Sequence, residues 1–260
     1  MAFTAIQNNS FALGAIAASN SGTLTTPVTG GSLLVVTAYF NTDTVNAGSN
    51  NITSITSTGS PTWTQAINVL GDTGAGTPSA EIWYAPNAPS GSTTITVNHT
   101  HSALYNSSGT ACVIEFGGVA TTSPLVVTSQ YQSSVSEASY SAPVSGDTTG
   151  DLVVALSSST AGTPVIADIN YTYITSDATF EVDARLSGST SSSYSVAYTT
   201  NFSGFSSLAI STFKVGSVSP PTPMAWGGML LDLSIFPAAT IAAIKRLMMM
   251  GIGSLMRIGA

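Results

Sequence analysis

Charge is the scarcest feature of this 260-residue chain, in which Asp, Glu, Lys and Arg together make up 7% of the residues. An ordinary soluble domain carries about 25% charged residues. Only five residues are basic. A chain so poor in Lys and Arg cannot neutralise a phosphate backbone, so we expect no nucleic-acid partner. The hydrophobic content of 43% is ordinary, which excludes the profile of a disordered chain.

Cysteine and histidine are also scarce. Cys112 is the only cysteine, which excludes an internal disulfide and a cysteine-based zinc site. His99 and His101 are the only histidines, and on a strand their spacing places both on one face, where Glu81 or Glu115 could complete a metal site. We prefer the plainer interpretation, in which both histidines are polar residues on a solvated strand face or at a strand end. No metal and no cofactor are expected.

Sequence signatures of catalysis are missing as well. There is no Gly-x-Ser-x-Gly nucleophile elbow and no phosphate-binding glycine-rich loop. Glu115 stands alone on a predicted core strand and is interpreted as a hydrogen-bonded structural residue, so we expect no enzyme. Structural calcium would need carboxylates in turns, but none of the candidates has EF-hand spacing. These candidates are Asp147, Asp151, Asp177, Glu181 and Asp183.

From residue 1 to about 216 the sequence consists of short β-rich runs separated by turn clusters. Residues 33–40 are rich in β-branched and aromatic side chains, and residues 93–98 alternate with a period of two, as in a strand with one solvated face. Many short strands at this spacing are typical of β-sandwiches and jelly rolls. The predicted fold is therefore all-β, with two tandem antiparallel β-sandwiches followed by a C-terminal amphipathic helix.

An internal repeat in the body is the basis for predicting two sandwiches. Gly31 and Gly150 open similar strands 119 residues apart, whereas Gly91 and Gly188, and likewise the strands that end near residues 116 and 213, are 97 residues apart. The difference of 22 residues is assigned to the counterpart of the loop at residues 41–51. The predicted boundaries are residues 1–120, 121–216 and 217–260. One large sandwich with similar turns is the alternative.

The last part of the sequence has a different composition. Residues 1–216 contain 11 acidic and two basic residues, whereas residues 217–260 contain one acidic residue, three basic residues and six of the seven methionines. The run Pro220-Pro221-Thr222-Pro223 predicts a stiff linker, and Pro237 can start a helix. Charges at Asp232, Lys245 and Arg257 leave no apolar run of about 20 residues, the length needed to span a membrane.

We therefore interpret this segment as an anchor that lies on a membrane surface or in a partner's groove. On a helical wheel the two adjacent bases lie opposite the apolar residues. The alternative is a helix that packs back on its own sheets. The predicted anchor residues are Trp226, Phe236, Ile241, Ile244, Lys245, Arg246, Leu247, Met248 and Arg257.

Four stretches of the sequence carry a family resemblance, namely residues 31–36 (GSLLVV), 61–66 (PTWTQA), 82–91 (IWYAPNAPSG) and 113–119 (VIEFGGV). Residues 25–120, and more loosely 140–216, resemble β-sandwich modules of bacteriophage virion proteins and of some bacterial surface proteins. A pair of such modules with a hydrophobic, basic C-terminal helix is also similar to the double jelly-roll coat proteins of membrane-containing viruses. That resemblance implies a terminal segment that faces an internal membrane. Jelly-roll and immunoglobulin-like connectivity both fit the sequence.

The expected function is that of a virion structural protein, either a capsid or a capsid-associated protein. It would form homo-oligomers, contact other virion proteins and anchor its C-terminal helix on an anionic lipid surface or another coat subunit. The alternative is an extracellular phage fibre or cell-surface adhesin that binds carbohydrate through aromatics such as Trp63, Tyr105 or Tyr131. For Trp63 and Trp83 we prefer a place in the core. A hydrolase would need two carboxylates that face each other in a pocket.

Overall fold

Antiparallel strands make up the regular structure of the body. The computed structural model describes residues 3–14, 18–40, 52–71, 77–91, 93–100, 109–133, 135–146, 150–188 and 192–216. Within these ranges there are 16 strands and no helix, which confirms the all-β class. The described residues belong to one compact unit. The predicted linker and C-terminal helix lie outside the described residues.

The first half of the body, residues 3–119, contains eight strands. They are β1 (Thr4–Leu13), β2 (Ser19–Thr23), β3 (Ser32–Phe40), β4 (Ile52–Ser57), β5 (Thr64–Val69), β6 (Ser79–Ala88), β7 (Thr94–His99) and β8 (Gly109–Gly117). Five of them form a sheet in the order β1-β8-β3-β6-β5, which we call the first inner sheet. The other three form the first outer sheet, in the order β2-β7-β4.

The second half, residues 120–216, contains another eight strands. They are β9 (Leu125–Gln132), β10 (Glu137–Ser145), β11 (Leu152–Ser159), β12 (Val165–Ile166), β13 (Thr172–Ser176), β14 (Phe180–Arg185), β15 (Ser193–Gly204) and β16 (Ser206–Phe213). The second inner sheet has the order β9-β16-β11-β14-β13, and the second outer sheet has the order β10-β15-β12. Each half therefore repeats the same strand order, with every label raised by eight.

One apolar core, which we call the central core, joins the two halves. It contains Leu33, Val35 and Ile114 from the first inner sheet, together with Leu152, Val154, Val182 and other residues of the second inner sheet. A separate core lies between each inner sheet and its own outer sheet. The body is thus a stack of four sheets, with the two five-stranded sheets in the middle and the three-stranded sheets outside.

The position of β3 and β11 in the middle of this stack explains why both strands are buried along their whole length. Side chains of a strand alternate between its two faces. In β3, Leu33, Val35 and Tyr39 face the central core, while Leu34 and Val36 face the first outer sheet. All nine residues of β3 and all eight of β11 are buried. A strand that is covered on both faces therefore has apolar residues at consecutive positions rather than at alternate ones, and where β11 departs from this it has the small uncharged residues Ser157, Ser158 and Ser159.

Polar contacts cross the boundary between the halves as well. The Tyr39 ring stacks on Phe180 with their centroids 4.9 Å apart, and its hydroxyl donates to Asp177 Oδ2 at 3.1 Å. The Phe3 amide donates to the Leu186 carbonyl at 2.9 Å. Ser207 Oγ donates to the Pro78 carbonyl oxygen at 2.5 Å. Backbone, aromatic and hydroxyl groups therefore all connect the first half to the second.

The repeated sequence blocks occupy equivalent places in the two halves. Gly31 and Gly150 precede β3 and β11, and both have a left-handed backbone, with φ of 87° and 84°. The shortening of the second half is not confined to one loop, so that part of the sequence prediction was wrong. The connection at residues 41–51 corresponds to residues 160–164, and the connection at residues 70–78 corresponds to residues 177–179.

The central core predicts that the halves unfold together. Phe180 is buried in the second half and stacks on Tyr39 of the first, so Phe180→Ala should destabilise both halves by about 3–5 kcal/mol. In a Trp226→Phe background the remaining tryptophans, Trp63 and Trp83, both lie in the first half. Their fluorescence transition in denaturant should shift together with the far-ultraviolet circular dichroism of the whole body.

Phe202→Ala is the matched control, because the Phe202 side chain is 73% exposed and its loss should leave both transitions nearly unchanged. If Phe180→Ala lowered only the circular dichroism midpoint and left the tryptophan transition in place, the halves would be independent units.

Candidate functional site

Buried carboxylates between the sheets are the most concentrated chemistry in the described residues. Glu115 lies on β8, on the same face as Ala111 and Val113, which is the face turned towards the first outer sheet. Its Oε1 accepts hydrogen bonds from the Thr29 amide and from Ser32 Oγ, both at 2.8 Å, and its Oε2 accepts one from Gln7 Nε2 at 2.6 Å. Glu115 therefore holds β1, β3 and β8 in register, and its side chain is fully buried.

Glu81 on β6 is a second buried acceptor, and it connects the first inner sheet to the first outer sheet. Its Oε1 accepts from the Ile52 amide, the first of β4, at 2.9 Å. Its Oε2 accepts from Trp83 Nε1 at 3.1 Å and from Gln65 Nε2 at 3.2 Å. Burial raises the pKa of Glu81 to about 7, and these three donors limit the rise because they favour the charged form.

Glu181 on β14 is the equivalent residue in the second half. It accepts from the Ile166 amide of β12 at 3.0 Å, as Glu81 accepts from Ile52 in β4. The same carboxylate-to-amide contact thus joins the inner sheet to the outer sheet in both halves. Position 83 and position 183 are also equivalent by register, because Trp83 pairs with Val36 of β3 and Asp183 pairs with Ala155 of β11.

The second half consequently has two adjacent acids where the first has a glutamate and a tryptophan. Glu181 and Asp183 are both buried on the same face of β14. Asp183 Oδ2 accepts from the Tyr198 hydroxyl at 2.9 Å. Burial and then the charge of Glu181 raise the pKa of Asp183 to about 8. The chemistry that this arrangement supports is the retention of a proton at neutral pH.

Tyrosines surround the acid pair. Tyr131, Tyr140 and Tyr198 are stacked in a row, with neighbouring ring centroids 6.0 and 6.3 Å apart. The hydroxyl of Tyr131 donates to Glu137, and that of Tyr140 is hydrogen-bonded to Ser157 Oγ at 2.5 Å. The row extends from the edge of the second half to Asp183, so the polar groups form one connected layer inside an otherwise apolar core.

The structure gives several of the residues that the sequence singled out a more buried place than expected. Asp177, Glu181 and Asp183 were expected near a turn, and residues 177–179 do connect β13 to β14, but Glu181 and Asp183 are buried strand residues of β14. His99 is the last residue of β7, which agrees with the expected position at a strand end. Its side chain is buried rather than solvated, however, with Nε2 2.9 Å from Asn20 Oδ1. The Cys112 thiol is fully buried, and burial raises its pKa to about 12, so it does not act as a nucleophile.

The two tryptophans are half-buried and pack against the core between the first inner and outer sheets. Trp63 Nε1 donates to Ser57 Oγ at 3.2 Å, and Trp83 Nε1 donates to Glu81. Tyr105, His101, Asp147 and every predicted anchor residue from Trp226 to Arg257 lie outside the described residues.

The acid pair could have been found in the sequence by one signal. Glu181, Asp183 and Arg185 are charged at every second position, in a chain where charge is rare. Within the described ranges, no group of three or more His, Cys, Asp or Glu side chains is arranged to hold a metal ion. The part of the chain with described structure also has no helix that is long and apolar enough to cross a bilayer.

Comparisons with known proteins gave no match: no family model, no curated protein and no solved structure is similar to this chain. The resemblance to virion modules therefore depends on the sequence motifs alone. What the structure adds to it is an all-β body of antiparallel sheets, which is compatible with a β-sandwich fold.

Glu81→Gln should destabilise the body by about 1–3 kcal/mol, because an amide NH₂ would face at least one of the three N–H donors. The folded-state pKa is above the unfolded value of 4.5, so the wild-type protein loses stability as pH rises from 4.5 to about 7. The deficit of the variant, measured by urea unfolding, should therefore be largest near the lower pH and smaller near the higher one.

Gln65→Ala is the control, because it removes one donor from an exposed residue and leaves Glu81 with two. Its cost should be below about 1 kcal/mol. A Glu81→Gln deficit that grew with pH would contradict the raised pKa.

Proposed function

We propose that this protein is a virion structural protein, a capsid or capsid-associated subunit whose body is a double jelly roll. In this proposal copies of the body assemble with one another, and the segment from residue 217 anchors them to an internal membrane or to another coat subunit. Such a subunit combines three features, namely a jelly-roll body, the assembly of that body with other copies, and an anchor.

The strand pairings support the jelly-roll part. A jelly roll is an antiparallel ribbon rolled into two sheets, so its first strand pairs with its eighth, its second with its seventh and its third with its sixth. The first half has the pairs β1·β8, β2·β7 and β3·β6. The second half has β9·β16, β10·β15 and β11·β14. The pattern ends there, because the fourth and fifth strands of each half lie in different sheets and do not pair with each other.

The central core is the observation that carries the assembly part. Because both inner sheets are buried against each other, the two halves form one block of four layers rather than two modules on a hinge. A block of this kind suits a shell, in which each copy must keep its shape while it contacts several neighbours. Jelly rolls are also a recurrent architecture of viral capsid domains.

The surface of the body has little charge. Of the two basic residues in 1–216, Arg185 is buried, which leaves Lys214 at the surface. Of the eight acids within the described ranges, five are also buried, namely Glu81, Glu115, Asp151, Glu181 and Asp183. Low surface charge limits the repulsion between identical copies and leaves Ser, Thr and Asn for polar contacts.

Two exposed apolar side chains are candidates for contacts between copies. Ile169 is 97% exposed in the turn after β12, and Phe202 is 73% exposed near the end of β15. The Asp168 side chain fixes the first of these turns by accepting from the Asn170 amide at 2.9 Å. In the proposed assembly these two side chains would become buried against a neighbouring copy, which favours the contact.

The double variant Ile169→Ser, Phe202→Ser tests assembly. Wild-type protein should form large particles by light scattering and negative-stain electron microscopy, and the variant should shift to smaller species. Its fold should be unchanged, because both side chains are exposed. Thr199→Ser, an exposed polar change on β15, is the control. A wild-type protein that stays monomeric at every concentration would overturn the assembly part.

The anchor part depends on the sequence, because the anchor residues lie outside the described ranges. Lys245→Glu with Arg246→Glu reverses two of the three basic charges in residues 217–260. Flotation with vesicles of anionic lipid should recover the wild-type protein. The amount of variant recovered should be lower by at least about tenfold, since each base near such a surface contributes about 1 kcal/mol. Equal recovery would indicate a protein partner instead of lipid, provided that assembly still needs the segment.

The adhesin alternative has less support. Jelly rolls also occur in lectin domains. However, Trp63 is half-buried with its N–H donated to Ser57, and Tyr131 is stacked on Tyr140 with its hydroxyl donated to Glu137. Both aromatic side chains therefore already have partners within the fold. Specific binding on a glycan array, abolished by changes at either residue without loss of fold, would favour the alternative.

A further inference from the structure

Charge is concentrated on one buried strand face in the second half. Residues two apart on a strand share a face, so Glu181, Asp183 and Arg185 all point away from the central core and towards the second outer sheet. The alternate residues, Phe180 among them, belong to the central core. The acid pair therefore lies at the contact between β14 and the second outer sheet, a region whose other members are mostly apolar.

Polar and charged groups from several elements face Asp183. Glu181 of β14, Tyr198 of β15 and Tyr171 of the connection between β12 and β13 interact with it directly. Behind them, Tyr171 interacts with Tyr194, Arg185 and Asp168, and Tyr140 of β10 interacts with Glu181 and Glu137. Arg185 is the only Lys or Arg before residue 214. Its Nη1 is 3.7 Å from Asp168 Oδ2, so Arg185 forms an ion pair with an acid outside the Glu181–Asp183 pair.

The hydrogen bonds to Asp183 are incomplete in comparison with those to Glu81. Glu81 receives three donors, whereas Asp183 receives the Tyr198 hydroxyl at Oδ2. Asp183 Oδ1 is buried without a hydrogen-bond partner among the described residues, and so is the Tyr171 hydroxyl. A carboxylate that is buried beside another and has few donors is far more stable when protonated.

We propose that Glu181 and Asp183 form a pH-sensitive lock, in which one retained proton keeps the second outer sheet packed on the second inner sheet and loss of that proton opens it. Once deprotonated, β14 would present two adjacent negative charges to the buried faces of β15 and β12. Water can reach those charges only if the second outer sheet separates. The first half has no such pair and would stay closed.

The direction of the effect follows from linkage. The folded-state pKa of Asp183 is raised from 3.8 to about 8, so the folded state holds a proton that the opened chain releases. The stabilisation by this proton is complete below pH 3.8 and decreases as pH rises towards about 8. The loss at Glu81 ends near pH 7, so the further loss of stability towards pH 8 should be greater in the second outer sheet than in the first.

Hydrogen exchange of the full chain, resolved by peptide mass spectrometry and corrected for intrinsic rates, tests the proposal. From pH 6 to pH 8, protection of β10 and β15 should fall by up to about tenfold per pH unit. In Asp183→Asn it should stay constant, because the neutral amide can accept from Tyr198 and donate to Glu181. Peptides of β2 and β7 report the response of Glu81 and should behave alike in both proteins.

Glu181→Gln is a second variant that tests the same proposal if Asp183→Asn does not fold. It removes the neighbouring charge, so protection of β10 and β15 should change less between pH 6 and pH 8 than in the wild-type protein. Wild-type profiles of β10 and β15 in either folded variant would overturn the proposal. The exchange readout does not depend on assembly, so failure here is distinct from failure of the proposed function.

Discussion

The apolar contact between the two inner sheets is the constraint on which the rest of the body depends. Each inner sheet has two faces to cover, and the outer sheet of its own half covers only one of them. The other face, which includes Leu33, Val35 and Ile114 in the first half, is covered by the second half. Burial of such side chains is worth about 1.5–3 kcal/mol each. Neither half could expose this face to water at small cost, so the two act as one body.

The hydroxyl-rich composition is partly a consequence of that contact. Ser158 Oγ donates to the Ser79 carbonyl and Ser207 Oγ to the Pro78 carbonyl, both across the boundary between the halves. Buried backbone carbonyls need such donors. Serine supplies a donor without a charge, so it can lie inside an apolar interface at low desolvation cost. Part of the Ser and Thr content therefore serves the internal joint, and only the remainder is free for contacts with neighbours.

Local pattern was sufficient to predict several of the strands and the antiparallel all-β class, because period, turn glycines and β-branched runs are local properties. The run at residues 33–40 was recognised as a strand, but its position between two sheets was not, since that depends on contacts with residues more than 100 positions away. Glu181 and Asp183 were expected near a turn, and their burial in β14 was missed for the same reason. Propensity disfavours acids in strands, and tertiary packing overrode it.

The two halves share a strand order and differ in the polar groups between their sheets. Glu81 and Glu181 make the same contact to an outer strand, but the donor Trp83 is replaced by the acid Asp183. The first half thereby keeps a satisfied acceptor, and the second keeps an acid pair. The pair lies beneath the sheet that leads into Ile169 and carries Phe202. If copies meet through those side chains, the contacts between copies lie on the sheet that the proton of the acid pair keeps packed, and alkaline opening of that sheet would weaken assembly while the first outer sheet stays in place.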